Sequence, residues 1–190
     1  MTKGRLEAFS DGVLAIILTI MVLSFQTPKS ADLDALRPLV GPFLGYVLSF
    51  LYVGIYWSNH HHLLAATNRI SGAVLLANSH LLFWLSLVPF ATSWMTTTHY
   101  AFWPVVVYGV LLLCAALAYF ILTICLLKTH EDDSTLALAI GRDIKGKLSL
   151  VIYAISIALA FWHPLAACVG YFLVACVWLI PDRRLETRLQ

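Results

Sequence analysis

Six long apolar runs, almost free of charge, constrain this chain more than any other feature. They lie at about 9–25, 41–58, 71–95, 101–127, 147–162 and 165–180, and each approaches the roughly 20 residues that cross a hydrocarbon core. Charged residues make up 12% of the sequence and hydrophobic ones 61%, with a mean hydropathy of +0.85. Soluble domains carry roughly twice that share of charge. Lipid offers no hydrogen bonds to the backbone, so runs of this length are expected to be helices. The expectation is an all-α, polytopic membrane protein with six spans in one domain covering 1–190. A net charge of +2 leaves no basic surface for nucleic acid.

The fifth and sixth runs are separated only by His163 and Pro164. One continuous helix across both would overshoot a bilayer at 1.5 Å per residue, and proline disfavours helix in the residue before it. A tight reversal is expected there. With the N-terminus inside, ten of the twelve Lys and Arg fall on the inner side, including Lys3, Arg5, Arg69, Lys128 and the C-terminal Arg183, Arg184 and Arg188. Only Lys29 and Arg37 fall outside. This obeys the positive-inside rule and places both termini in the cytoplasm. The first run follows Lys3 and Arg5 as a signal peptide would, but no small-x-small cleavage site follows it, so a retained helix is expected. The inner segment 128–147 mixes charges and reads as a solvated connection with a short helix. Cys114, Cys125, Cys168 and Cys176 lie in apolar runs with no CxxC spacing, as small packing residues rather than a disulfide framework.

The stretch "RLEAFSDGVLAIILTIMVL" keeps Ser10 and Asp11 beside its apolar run, whereas the five later runs contain no Asp or Glu. An ionisable group at membrane depth is costly and normally faces protein or water. At 100° per residue, Ile16, Thr19, Ile20 and Leu23 share one stripe, and Asp11 projects roughly 130° from its centre. Asp11 can therefore hold the helix against its neighbours while the stripe faces something else.

The second run ends in "YWSNHHHLL", which puts Trp57, Asn59, His60, His61 and His62 near the depth of Ser10 and Asp11. Consecutive helical residues point about 100° apart, so three histidines in a row cannot converge on one metal ion. Hydrogen bonding to Ser10 or Asp11 is the more economical use of these groups. Asn78 in the third run could join the same cluster, and Pro89 is expected to kink that helix. His80 could face lipid, lumen or protein. His99 and His163 read as outer-loop residues. No Ser-His-Asp spacing, paired catalytic carboxylates, P-loop or HExxH occurs, so an enzyme is not expected, nor is a cofactor. No TVGYG filter or arginine-rich voltage sensor occurs either.

Arg5, Phe9, Ser10 and Asp11 spell R-x-x-x-F-S-D at the head of the first run. This resembles the hallmark of the transmembrane-protein-175 family of potassium channels. The W-x-N-H-H of Trp57 to His61 and the "LLANSHLLFWLSLVPF" around Asn78 resemble that family's second and third spans. The resemblance implies a homotetramer of six-helix chains in the cell membrane, with potassium as the permeant ion and the first helices lining a central pore. It also implies a constriction of apolar side chains at Ile16 and Leu23, with Thr19 or Ile20 as a middle layer. It maps a structural polar network onto Arg5, Phe9, Ser10, Asp11, Trp57, Asn78 and either His60 or His61. Two other readings stay open: a proton channel or proton-linked transporter using Asp11 and the histidines, and a non-conducting structural membrane protein.

Overall fold

A computed structural model of the chain describes residues 2–67, 69–129 and 144–179. The short helix expected within 128–147 falls largely outside these residues, as do Arg142 and the three C-terminal arginines. Among the described residues there is no strand. Seven α-helices follow in order: α1 (Lys3–Leu23), α2 (Val40–Ala65), α3 (Gly72–Ser86), α4 (Val88–Thr97), α5 (Phe102–Thr129), α6 (Ile144–Ala160) and α7 (Pro164–Leu179). Among the described residues four helical stretches are long and apolar enough to cross a membrane: α1, residues Leu33–Ala65, α3 with α4, and α5. The chain is thus a multi-pass membrane protein by length and composition; α7 is apolar but shorter.

Three boundaries differ from expectation. α2 continues seven residues past 58, through the histidine run, because its polar groups there find partners on α1, α3 and α5. The third run is two helices rather than one bent helix. Pro89 supplies no N–H to the α3 ladder, and the chain restarts with proline in the first turn of α4, where a missing donor costs nothing. The connection between α1 and α2 holds an unexpected 3₁₀ turn, Leu33–Leu39. Between α6 and α7 the chain reverses within three residues: the Trp162 and His163 N–H groups both donate to the Leu159 carbonyl, and Pro164 opens the next helix.

Two apolar clusters hold the bundle together. One joins α1, α2, α3 and the second half of α5 around Leu14, Ile17, Val53, Leu81 and Leu122. The other joins α2, α4, the first half of α5, α6 and α7 around Tyr52, Met95, Tyr108, Tyr153 and Tyr171. The second cluster closes tightly because α7 meets α6 at a glycine. A Cβ at Gly170 would overlap the Ser156 side chain, and one at Gly109 would overlap the Tyr171 hydroxyl, which donates to the Val105 carbonyl. Gly170→Val is expected to cost about 1–3 kcal/mol through overpacking. A lowered thermal midpoint of the detergent-solubilised protein, followed by tryptophan fluorescence, checks this.

Candidate pore helix and its polar anchor

α1 has two unlike faces. Leu6, Ser10, Leu14, Ile17 and Met21 recur at three- and four-residue spacing and are buried against the bundle. The opposite side leaves Phe9, Ile16, Thr19, Ile20 and Leu23 exposed, with Leu23 at 79%. The stripe expected from periodicity is therefore the unpartnered face of a single chain. The Thr19 hydroxyl donates to the Ala15 and Ile16 carbonyls at 3.1 and 2.9 Å, so its two lone pairs remain directed outward.

The buried face carries the anchor. The Ser10 hydroxyl donates to the Leu6 carbonyl at 2.9 Å and accepts from the Asn78 amide nitrogen at 3.0 Å. The Asn78 amide oxygen then lies 2.7 Å from His60 Nε2. An amide oxygen only accepts, so His60 must carry its proton on Nε2. Ser10 and Asn78 are fully buried and His60 is 3% exposed, which links α1, α3 and α2 through one buried chain of hydrogen bonds. A second link lies at the rim: Trp57 Nε1 donates to Asp11 Oδ1 at 2.9 Å. Farther down, Lys3 Nζ donates to the Ala65 carbonyl at 3.1 Å and sits 3.9 Å from Glu7.

The residues named for the network thus separate into groups. Ser10, Asn78 and His60 meet in the interior, and Asp11 meets Trp57 at the edge. Among the described residues no histidine bonds Ser10 or Asp11 directly; Asn78 stands between His60 and Ser10. Asp11 is exposed in the single chain, because the residue after Ser10 turns 100° toward the flank beside α2. His61 is also exposed and stacks on Trp57, with ring centroids 6.2 Å apart, rather than joining the chain of hydrogen bonds. The Arg5 and Phe9 side chains are exposed and make no hydrogen bond or ion pair among the described residues. Among those residues no group of three His, Cys, Asp or Glu side chains converges to hold a metal ion.

A second polar cluster was not anticipated from the sequence. Ser49 Oγ lies 2.7 Å from Thr92 Oγ1 and 3.0 Å from the Tyr108 hydroxyl, tying α2, α4 and α5 together in the second apolar cluster. Its only sequence signal is single hydroxyl residues within apolar runs, which are common helix–helix contacts in membranes.

These features agree with known proteins. The family model described as endosomal/lysosomal potassium channel TMEM175 matches residues 5–89, which contain all of the polar anchor. A protein called a potassium channel in Chryseobacterium sp. (strain P1-3) is 50% identical over the whole of this chain and 99% of its own length. The human protein called endosomal/lysosomal proton channel TMEM175 is 36% identical over 48% of this chain, a match spanning 20% of the human sequence. The crystal structure of a lysosomal potassium-selective channel TMEM175 homolog from Chamaesiphon minutus superposes with a TM-score of 0.79 at 26% identity, covering 94% of this chain and 96% of that one. The 50% identity over the full length, the shared fold and the family-model match over residues 5–89 together show that this chain belongs to the TMEM175 family of ion channels.

Proposed function

We propose that the chain is a passive, potassium-preferring cation channel of the cell membrane. It acts as a homotetramer in which each copy contributes six spans, keeps both ends in the cytoplasm and places α1 at the central axis. The observation that carries this reading is the two-faced α1: one side is hydrogen-bonded into the bundle through Ser10 and Asn78, while Ile16, Thr19, Ile20 and Leu23 stay exposed. Four such ridges around an axis form a narrow apolar conduit that gates by dewetting at Ile16 and Leu23. Thr19 or Ile20 forms the layer between, and the outward lone pairs of the Thr19 hydroxyl can meet a partly dehydrated cation there. Selectivity then rests on the cost of stripping water in a tight pore. Arg5, Phe9, Asp11, Trp57, His60 and His61 support the rotation and assembly of this helix without binding the permeant ion. No cofactor is needed; the partners are lipid, permeant cations and the other copies.

The names of the homologues support potassium as the permeant ion, and the likeness to the Chamaesiphon structure supports the arrangement. The test is flux from liposomes holding purified protein. Potassium efflux is expected to exceed sodium efflux under equal gradients, and no flux of either ion would reject the reading. The human relative's name favours proton conduction as the alternative. If that holds, a pH gradient drives a proton current that disappears in Asp11→Asn while potassium flux persists.

A further inference from the structure

Resting on the tetramer reading, we propose that His80 of one copy meets Asp11 of the next across a head-to-tail interface between the α2 side of α1 and the outer face of α3 and α4. The starting observation is an exposed histidine deep in a membrane helix. His80 follows Gly72, the first residue of α3, by eight positions, about 12 Å along the axis. Ionisable groups at such depth face protein or water. The exposed serines nearby do not raise the same problem, since Ser79 and Ser86 donate to the Leu75 and Phe83 carbonyls of their own helix. His80 is different. Trp84 Nε1 donates to His80 Nε2 at 2.9 Å, so in the neutral ring the proton sits on Nδ1. That N–H has no acceptor among the described residues.

The register supplies the acceptor. α1 and α3 run in the same direction, and the Asn78–Ser10 hydrogen bond sets those two residues level. Ser79 is then level with Asp11, and His80 lies one residue, about 1.5 Å, above it. Copies related by rotation about an axis along the helices keep their heights, so the same register holds between neighbours. Asp11 is the one described carboxylate at that height. It is exposed, and only its Oδ1 is engaged, by Trp57.

The lateral geometry agrees. α1 meets α2 on the side of Asp11 and meets α4 on the other, where Val13, Ile16, Ile17 and Ile20 share an open groove with Pro89 and Phe90. Thr19 and Leu23, outside that groove, lie between these two edges. Rotation about an axis in front of the ridge brings the α2-side edge of one copy to the α3–α4 edge of the next, as a closed head-to-tail ring requires. Exposed Ala8 and Ala15 flank Asp11 and permit close approach.

The experiment uses the full chain with its four cysteines replaced. By the same register Ala15 is level with Phe83, and both are exposed. Oxidising the Ala15→Cys/Phe83→Cys double variant in membranes is expected to give a ladder up to the covalent tetramer, which either single variant does not. In the native background, His80→Ala is expected to shorten the tetramer lifetime in denaturing detergent at least about tenfold. The Asp11→Asn/His80→Ala double variant should lose less than the product of the single losses. A tetrameric wild type whose Ala15→Cys/Phe83→Cys variant gives no ladder, or independent losses for Asp11 and His80, would overturn the pairing alone. A wild-type monomer by native mass spectrometry would instead overturn the tetramer reading beneath it.

Discussion

Ile16→Asn is expected to give a less selective flux. In the proposed tetramer four amide side chains in one layer would replace an apolar ring that holds water away, and the penalty for a hydrated ion would fall. Each ~1.4 kcal/mol removed from the barrier raises the rate about tenfold. Sodium begins nearer its barrier limit than potassium because it holds its water more tightly, so sodium flux should rise more and the potassium preference should shrink. Leu23→Ala is expected to act in the same direction, by widening the second layer of the proposed pore. Both positions are exposed in the single chain, at 58% and 79%, so neither change opens a cavity in the bundle. Parallel potassium and sodium efflux from liposomes, with tetramer yield as a control, checks this. Unchanged currents in both variants would mean that the ridge does not line the conduit.

Asn78→Ala has the largest expected effect on assembly. It removes the acceptor of the His60 Nε2–H and the donor to Ser10 in one step. Hydrogen bonds between membrane helices average only ~0.6 kcal/mol when the groups find other partners. His60 has no such escape, being 3% exposed within the bundle, so the desolvation cost governs. The expected loss is about 2–4 kcal/mol, seen as a lower thermal midpoint and lower tetramer yield. Ser10→Ala should cost less, because Asn78 keeps His60 and the lost hydroxyl leaves only one amide hydrogen unpaired. Asp11→Ala should leave the single chain's stability nearly intact, since its bond to Trp57 lies at the rim, and lower tetramer yield instead. Equal midpoints for Asn78→Ala and Asp11→Ala would remove the distinction between interior anchor and rim.

The all-helical class and the two-faced character of α1 were legible in the sequence, but the break of the third run into α3 and α4 was not. Hydropathy fixes where a chain can leave water, and a period of 3.6 residues fixes which side chains share a face. Ile16, Thr19, Ile20 and Leu23 fall on one stripe by arithmetic alone, and Ser10 and Asp11 necessarily point 100° apart. The R-x-x-x-F-S-D motif, followed in order by the W-x-N-H-H run and the stretch around Asn78, suggested the family before any coordinates. Partner choice was decided only by tertiary packing. Three adjacent histidines offer three directions around α2, and only the position of α3, which brings Asn78 beside Ser10, selects His60. The same packing leaves His61 on Trp57 and Asp11 at an edge. Periodicity specifies a direction around one helix axis, whereas a hydrogen bond depends on the distance and height of a second helix, which arises from apolar packing spread over the whole bundle.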